Sequence, residues 1–382
     1  MKQSVLILGV TGSIGMSTIN VLNQYQDDYQ IKAIVSGSNW QDLARIAKEH
    51  KVQYVGISDE SSYNNLKDEL SGTDCQVFAG QEGILEICGK GYDIAVAAIA
   101  GFAGLASTIA AAKYSKKLCI ANKESIVCAW NLINQASKAS GCKIIPVDSE
   151  HSALFQCIEN HNNKKIHKVA ITASGGALRD YSRDQMAGVT PEIALKHPNW
   201  NMGAKVTIDS ATLVNKGLEA IEAAKLFDLS SSEVDVIVHR ESIVHGLVYY
   251  SDGSVISQLG VPDMRSPISY AIGYPHRMEI NHSLLNLPEM TKLSFEAPDF
   301  TRFPMLKLAL SLIDDEQYKL ITFNSADEVA VNAFLKGQIG FLDIERVITE
   351  TLSNMRNPNS LGTLEEIQQF NQSVIEQASK CL

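Results

Sequence analysis

The sequence predicts an α/β protein of three parts: an N-terminal Rossmann-like, doubly wound parallel sheet, a central α+β domain and a C-terminal α-helical bundle. First, apolar strands alternate with amphipathic helical stretches through the N-terminal part, which is the pattern of a parallel sheet. Second, from residue 167 the strands run into polar loops and a hairpin, and third, the C-terminal pattern is purely helical. The predicted boundaries are 1–148, 149–274, a linker at 275–300, and 301–382.

The individual elements follow from runs of β-branched and apolar residues and from helix-capping signals. The N-terminal strands are predicted at 4–9, 29–37, 54–58, 93–100, 117–121 and 142–147. The central strands are predicted in "HKVAITASGG", "AKVTIDSAT", "EVDVIVH" and "IVHGLVYY", with a hairpin turn at 251–254 leading into "VISQLG". Three prolines and weak periodicity indicate the linker. The C-terminal helices are predicted at 304–314, 325–336, 342–354 and 363–379, with capping boxes at Ser325/Glu328 and Thr363/Glu366.

Composition excludes several classes of protein. The 382 residues carry a net charge of −10, which argues against nucleic-acid binding because that requires clustered Lys and Arg. The seven cysteines are scattered without a C-x-x-C pair, which favours a reducing compartment over disulfides or zinc. Residues 94–112 are uncharged over about the length of a membrane span, but their Ala and Gly content favours a buried strand and helix. With no targeting segment expected before the first strand, the sequence predicts a cytoplasmic protein without membrane association.

A glycine-rich turn follows the first predicted strand. Gly9, Gly12 and Gly15 permit a tight turn and let the backbone approach a pyrophosphate at a helix N-terminus. The spacing G-x-x-G-x-x-G differs from the commoner G-x-G-x-x-G, so a glycine turn without a ligand is the alternative. Residues 35–39, after the second strand, contain no acid that would hold a ribose hydroxyl, and this favours NADP over NAD.

"ANKES" (121–125) follows the fifth predicted strand. Ligands of doubly wound sheets bind at the carboxyl ends of strands, so Asn122, Lys123 and Glu124 are expected to face the cleft. The alternative is that they are surface residues of a crossover loop.

Two carboxylates stand at the start of the central domain, in "PVDSEHS". On an extended segment Asp148 and Glu150 point the same way, although acids flanking a Ser149 cap would also suit a helix N-terminus. "VTIDSATLVNKGLE" is expected to run from a strand through a Ser210 cap into a helix, with Glu219 on the same face as Asn215. Oxygen ligands without a Cys or His cluster suit Mg²⁺ or Mn²⁺. The alternative for Lys216 and Glu219 is an exposed ion pair.

Two loops resemble phosphate cradles, and a third resembles a lid. Ser174 precedes two glycines after a strand, and Ser210, Asn215 and Lys216 add donors around a helix start. Ser174 as a plain turn residue is the alternative. Residues 194–204 display Trp200 and Met202 between a proline and a glycine, which predicts a flap that excludes water. Trp200 could instead pack onto the core, and His197 and His245 could be structural.

Together these motifs resemble the 1-deoxy-D-xylulose 5-phosphate reductoisomerase family. The matching strings are "GVTGSIG", "ANKES", "PVDSEHSA", "TASGG", "HPNWNMG" and "DSATLVNKGLE", followed by "SDGSV", "PDMR" and "ADEVAV", in family order. The chain departs at Ser38, where a basic residue is frequent, at Ala177-Leu178 in place of Pro-Phe, and at Arg240-Glu241 in place of Pro-Gln. No departure removes a predicted ligand.

The resemblance implies roles for individual residues. It implies that Asp148, Glu150 and Glu219 hold one divalent cation, Mg²⁺ or Mn²⁺, with Co²⁺ also compatible. The substrate, a small phosphorylated sugar, would contact Lys123, Ser149, Glu150, Ser174, His197, Ser210, Asn215, Lys216 and Glu219. NADPH would contact Thr11, Gly12, Ser13, Ile14, Gly37, Ser38, Asn39, Asn122, Glu124 and Gly203. Trp200 and Met202 would form the flap, with His245 close to the site.

The expected activity is NADPH- and metal-dependent conversion of 1-deoxy-D-xylulose 5-phosphate to 2-C-methyl-D-erythritol 4-phosphate in non-mevalonate isoprenoid biosynthesis. Retro-aldol cleavage, aldol re-formation and hydride reduction are the expected steps, in a homodimer with the central domain as the catalytic one. Lys123, Glu150 and a water on the metal are equal candidates for proton transfer. The alternatives are an NADP-dependent dehydrogenase of another phosphorylated or amino-acid substrate, and a non-catalytic NADP-sensing protein.

Overall fold

The chain divides into two compact units in the structure, a computed structural model that describes residues 2–158, 165–200 and 202–382. One unit comprises the chain up to residue 125 together with 130–148 and 263–282. The other comprises 126–129, 149–262 and 283–382. Asn201, which falls in the predicted flap, lies outside the described residues.

The first unit is built on a parallel sheet of seven strands in the order β4-β3-β2-β1-β5-β6-β7. Val5 to Leu8 of the central strand β1 are fully buried, because helices cover both faces of a doubly wound sheet. The strands are β1 Gln3–Leu8, β2 Tyr29–Ser36, β3 Tyr54–Ile57, β4 Gln76–Ala79, β5 Tyr92–Ala97, β6 Ser115–Ile120 and β7 Lys143–Pro146. The helices are α1 Ser13–Leu22, α2 Trp40–His50, α3 Tyr63–Glu69, α4 Gly80–Gly89, α5 Leu105–Tyr114, α6 Lys123–Ser140 and, from later in the chain, α12 Arg265–Gly273.

The second unit combines a four-stranded mixed sheet with helices. The strand order is β11-β10-β8-β9; β10 runs antiparallel to both β8 and β11, and β8 runs parallel to β9. The strands are β8 Ile166–Ala173, β9 Val234–Val238, β10 Val244–Tyr250 and β11 Val255–Leu259. The helices are α7 Ser149–Ile158, α8 Arg183–Met186, α9 Pro191–Ala194, α10 Ala204–Thr212, α11 Val214–Phe227, α13 Pro304–Ser311, α14 Gln317–Leu335, α15 Asp343–Asn354 and α16 Leu364–Lys380.

The predicted fold class is confirmed: the parallel sheet, the mixed sheet and the C-terminal helices are all present. Helix α14 forms the centre of the C-terminal helices, where Phe323 and Phe334 are almost completely buried. The capping box at Thr363 and Glu366 is present at the start of α16. No helix in the described ranges is both long and apolar enough to span a membrane.

Several element predictions were wrong. "AKVTIDSAT" forms helix α10 and not a strand, and Ser210 lies in its last turn, so it does not cap the next helix. The β-branched residues suggested a strand, but the buried positions Thr207, Ile208, Ala211 and Thr212 have helical spacing. The sequence did not predict strand β4, because QVFA contains one β-branched residue whereas the equally short β3 and β7 contain two each.

Two capping interpretations also change. Helix α14 begins at Gln317, so Ser325 is not a cap; its hydroxyl is buried and donates to Asn371 Oδ1 at 2.5 Å. The segment around Asp148 and Glu150 is not extended, because Ser149 begins helix α7 and Glu150 lies in its first turn.

Candidate active site

The glycine-rich turn joins β1 to α1 as predicted. Gly9 has φ +86°, and a Cβ at this position would lie 2.5 Å from the carbonyl oxygen of Ala98. A Cβ at Gly15 would collide with the carbonyl oxygens of Gly9 and Val10, so only glycine allows α1 to start this close to the strand. The first turn of the ten-residue helix α1 therefore presents its N–H groups and positive dipole end beside Thr11. This arrangement suits a pyrophosphate.

The predicted nucleotide contacts lie at neighbouring strand ends of the first unit. Thr11 Oγ1 is 2.6 Å from Ser36 Oγ, which links the ends of β1 and β2. Gly37, Ser38 and Asn39 are exposed after β2, and Asn39 caps α2. The nearest following acid, Asp42, is engaged by Asn39 and Arg45.

Asn122 shapes the loop that follows β6. Its amide nitrogen donates to the carbonyl oxygens of Ile99 (2.6 Å) and Gly101 (3.0 Å) and to Glu124 Oε2 (2.9 Å). Its oxygen accepts from the N–H of Ser125 at 2.9 Å and caps α6. The side chain therefore holds two loops together at the carboxyl edge of the sheet.

Three carboxylates meet at the start of α7. Asp148, Glu150 and Glu219 each offer one oxygen, and these three oxygens lie within 4.8 Å of one another. Asp148 directly precedes α7, Glu150 is in its first turn, and Glu219 comes from α11. All three are buried or half-buried, and oxygen ligands in this number suit a hard divalent cation.

Two lysines partly neutralise the carboxylates. Lys123 Nζ lies 3.2 Å from Asp148 Oδ2, and Lys216 Nζ lies 2.6 Å from Glu150 Oε1 and also binds Glu219. Burial alone would lower the pKa of the Lys216 ammonium, but the charges of Glu150 and Glu219 outweigh burial and raise this pKa. Asp148, Glu150 and Glu219 exceed the two ammonium groups by one negative charge, and Glu222, which lies with His151 beside Asp148, adds a fourth carboxylate. The excess of negative charge suits a divalent cation.

Helix α11 presents the Glu219 carboxylate in a fixed orientation. Asn215, one turn earlier, donates to Glu219 Oε1, and Lys216 donates to Glu219 Oε2. Both pairs have the i, i+3 or i, i+4 spacing that places side chains together on a helix. Because Lys216 is buried with Glu219, the alternative of an exposed ion pair is wrong.

The serines predicted to hold phosphate lie on adjoining loops. A Cβ at Gly176, which has φ +71°, would collide with the carbonyl oxygen of Ser210, so the loop after β8 contacts α10 closely. Ser174 and Ser210 are both half-buried. Leu213, in the left-handed region at φ +60°, separates α10 from α11. The N-terminus of the 14-residue helix α11, with Asn215 and Lys216 in its first turn, therefore begins next to Ser210.

The flap is anchored through His197. Its Nδ1 accepts from the backbone N–H groups of Asn199 (3.1 Å) and Trp200 (2.9 Å). Nδ1 is therefore unprotonated, and Nε2 carries the hydrogen that it donates to Ser174 Oγ at 2.9 Å. Burial, with a smaller contribution from Arg179, lowers the pKa of His197 to about 4.

The side chain of Trp200 is not packed inside the core. It is half-buried, and its ring centroid lies 6.3 Å from that of His245. Burial lowers the pKa of His245 to about 4 as well, so this ring is neutral near pH 7.

Comparison with known proteins decides the family. The sequence profile of 1-deoxy-D-xylulose 5-phosphate reductoisomerase matches residues 5–130, that of its C-terminal domain matches 144–227, and the DXP reductoisomerase C-terminal domain matches 259–376. The chain is 43% identical over 365 residues to the 1-deoxy-D-xylulose 5-phosphate reductoisomerase of Zymomonas mobilis, covering 96% of this chain and 94% of that protein. The chain belongs to the 1-deoxy-D-xylulose 5-phosphate reductoisomerase family.

Solved reductoisomerase structures share the whole fold. The Zymomonas mobilis enzyme in complex with NADPH superimposes with a TM-score of 0.93 at 40% identity, covering 100% of this chain and 99% of that one. A reductoisomerase in complex with NADPH, fosmidomycin and magnesium gives a TM-score of 0.93 at 39% identity, covering 99% and 98%. A Bradyrhizobium reductoisomerase (strain BTAi1) is 44% identical in sequence over 352 residues, covering 92% of this chain and 86% of that protein.

The structure adds two site residues that the sequence did not reveal. His151 is fully buried; its Nε2 lies 2.8 Å from the carbonyl oxygen of Glu219, and its Nδ1 lies 3.9 Å from Glu222 Oε2. His151 thus ties α7 to α11, the two helices that carry Glu150 and Glu219. Buried positions on helices carry no sequence signal of this pairing, because the two residues are 71 positions apart. His151 and Glu222 lie beside the acidic cluster, and with Asp148 they form a second group of side chains that could hold a cation.

Proposed function

We propose that the protein catalyses the NADPH-dependent conversion of 1-deoxy-D-xylulose 5-phosphate to 2-C-methyl-D-erythritol 4-phosphate. The observation that carries this proposal is the cluster of Asp148, Glu150 and Glu219 beside two lysines, in a chain of the reductoisomerase family. A plain dehydrogenase needs no such cluster, and a sensing protein has no use for it.

The residues present fit one divalent cation, held by Asp148, Glu150 and Glu219. Their three oxygens lie close enough to share one ion, and the pocket keeps a net negative charge despite Lys123 and Lys216. When bound, Mg²⁺ or Mn²⁺ supplies Lewis-acid polarisation of the ketone and hydroxyl oxygens of the substrate. Solved relatives in complex with magnesium support the choice of cation.

The residues of the first unit fit NADPH, which supplies the hydride. The proposed contacts are those of the glycine turn and of the neighbouring strand ends, namely Thr11, Gly12, Ser13, Ile14, Gly37, Ser38, Asn39, Asn122 and Glu124, with Gly203 from the flap end. Ser38 and Asn39 offer donors to a 2′-phosphate, and no carboxylate among residues 35–39 would repel it. The Asn122 contacts keep two of these loops in register for the nicotinamide end.

The substrate phosphate is proposed to bind at Ser174, Ser210, Asn215 and Lys216. Two half-buried serines and the N-terminus of α11 give hydroxyl and N–H donors in one place, with the positive end of the helix dipole. His197 positions Ser174 by donating from Nε2 and leaves the serine hydrogen available for the phosphate. Binding energy from the phosphate then orients the carbon chain at the acidic cluster.

Proton transfer is proposed to involve Lys123. Both Glu150 oxygens already accept, from Ser149 Oγ at 2.5 Å and from Lys216 Nζ at 2.6 Å. The ammonium of Lys123 carries three N–H donors and lies 3.2 Å from Asp148, so it can deliver a proton to an oxygen of the substrate bound there. The flap with Trp200 and Met202 excludes water from the fragments formed when the carbon–carbon bond is cleaved.

We also propose a cytoplasmic homodimer. Strand β11 is at the edge of the mixed sheet and exposes Val255 (46%) and Leu259 (37%). An exposed edge strand with apolar residues is suited to pairing with a second copy. Sedimentation of the purified protein tests this, and a monomer at micromolar concentration would contradict it.

The test of the proposed function follows NADPH absorbance with 1-deoxy-D-xylulose 5-phosphate, with and without Mn²⁺. The expected result is NADPH oxidation that chelation abolishes and Mn²⁺ or Mg²⁺ restores, with 2-C-methyl-D-erythritol 4-phosphate as the product. Oxidation that is insensitive to chelation would favour a plain dehydrogenase. NADPH binding without turnover would favour a sensing protein.

A further inference from the structure

The turn of residues 239–242, which joins β9 to β10, contacts the flap through one side chain. Asn199 Nδ2 donates to the carbonyl oxygen of Arg240 at 2.7 Å and to Ser242 Oγ at 2.8 Å. Ser242 has φ +55°, a left-handed conformation that is uncommon for residues other than glycine. Both N–H groups of one amide therefore bind this turn, while the backbone N–H of the same residue binds His197.

Arg240 fastens the turn on its outer side. Its guanidinium lies 2.9 Å from Glu296 Oε1 and 2.8 Å from Asp180 Oδ1. The backbone of Val238 exchanges two hydrogen bonds of 2.9 Å with Glu296, so residues 294–296 form a strap across the end of β9. Exposed ion pairs are individually weak, but here they add to a backbone pairing that fixes the register.

Glu241 and His239 fasten the turn to the same strap. Glu241 accepts from the backbone N–H of Ser294 (3.1 Å) and from its hydroxyl (2.8 Å). The fully buried His239 binds the Ser294 carbonyl oxygen at 2.8 Å, and its ring stacks on Phe295 with centroids 4.9 Å apart. The contacts with residues 294–296 hold the turn in place without the flap. The flap, in contrast, is held by its contacts with the turn.

We propose that turn 239–242 is a fixed dock for the flap and that Asn199 is the positioning residue that holds the flap on it. Asn199 acts through its neighbours: it sets the backbone that binds His197 Nδ1, and it fixes where Trp200 lies beside His245. This inference rests on the proposed function, in which the flap covers the reacting carbons. Asn is required because an isosteric carboxylate would face the Arg240 carbonyl oxygen and repel it.

The test compares Asn199→Asp with Asn286→Asp, which makes the same change on an exposed loop where the structure gives the amide no side-chain hydrogen bond. The expected result for Asn199→Asp is a 10- to 100-fold loss of kcat/KM for the substrate, the range for buried donors and acceptors left unsatisfied. Trypsin cleavage after the exposed Lys196 should accelerate at least about 5-fold by the same reasoning. The thermal unfolding temperature should match that of Asn286→Asp.

Ser242→Gly keeps the left-handed turn but removes one of the two acceptors, and it guards against a misfolded Asn199→Asp protein. Its kcat/KM should fall, and its cleavage after Lys196 should accelerate, by roughly 3-fold, because only one hydrogen bond is lost. Unchanged cleavage after Lys196 in both variants overturns the inference, even if activity falls, because Asn199 would then be only structural. Cleavage is measured without substrate, so this assay tests the contact between the flap and the turn independently of the proposed reaction.

Discussion

Replacing Glu219 by Gln removes one charge from the acidic cluster at almost constant volume. Glu219 accepts from two donors, Asn215 and Lys216. The amide offers one acceptor and one donor group, so one contact would become donor against donor. Rotation of the Asn215 amide by 180° resolves this conflict, because its oxygen then accepts from the new amide. Lys216 keeps Glu150 at 2.6 Å, so the fold should persist with a change of a few degrees at most in the unfolding temperature.

The effect on the cation is much larger. At an effective dielectric constant of about 20, two unit charges about 4 Å apart attract by about 4 kcal/mol, and a divalent cation would lose about 8 kcal/mol. Even if solvation returns three quarters of this, about 2 kcal/mol remains, or about a 30-fold loss of affinity. The loss of kcat/KM should exceed that factor, because the polarising cation is then held by fewer charges.

Two assays measure these effects. Titration calorimetry with Mn²⁺ alone gives the cation affinity, and NADPH absorbance with substrate gives kcat/KM. Glu82→Gln, the same change at an exposed position of α4, is the matched control. Mn²⁺ affinity within 2-fold of the control would refute the assigned ligand set. A loss of NADPH affinity as large as the loss of Mn²⁺ affinity would contradict the assignment of Glu219 to the cation and not to NADPH.

Three further predictions concern Gly15, His245 and Gly217, a buried residue of α11. Gly15→Ala should abolish NADPH binding in calorimetry but leave Mn²⁺ affinity unchanged, since its Cβ collides with the turn backbone; equal loss of both would contradict this. Gly217→Ala should lower the urea midpoint, because overlap with Ala309 of α13 costs about 1–3 kcal/mol against a helix-propensity gain of about 1. His245 has a pKa of about 4 when folded against 6.5 unfolded, so its contribution to stability is full above pH 6.5 and falls as pH drops towards 4. Between pH 7 and pH 5 the wild type should lose about 2 kcal/mol more unfolding free energy than His245→Gln, and parallel curves would contradict the lowered pKa.

Local signals made the first unit predictable. Each of its signals, the alternation of apolar strands with helices and the glycine turn after β1, depends on residues close together in the sequence. Six of the predicted strands are present in the sheet. Strand β4 gave a weaker signal, because its single β-branched residue, Val77, stands beside a polar stretch. Helix α10 was misread because its β-branched residues favour strands, while its burial against α11 and α14 favours a helix.

The acidic cluster could be predicted only in part from the residues themselves. Asp148 and Glu150 are adjacent in sequence, but their convergence with Glu219 depends on how α7 packs near α11, which no spacing encodes. The resemblance to the reductoisomerase family supplied that link. His151 and Asn199 show the remaining limit, because each acts through a partner that is distant in the sequence and is identified only by a hydrogen bond.

Helix α11 carries proposed contacts to both ends of the substrate. Asn215 and Lys216, proposed for the phosphate, and Glu219, proposed for the cation, lie on one rigid helix, three to four residues apart. At 1.5 Å per residue, their backbone positions lie about 5 Å apart along the axis, while the side chains of Asn215 and Lys216 reach Glu219 directly. With both proposed contacts fixed on one helix, we expect a phosphosugar with one carbon more or fewer between its ketone and its phosphate to bind less tightly. Competition assays with such homologues would show this length selectivity directly, and equal binding across the series would rule it out.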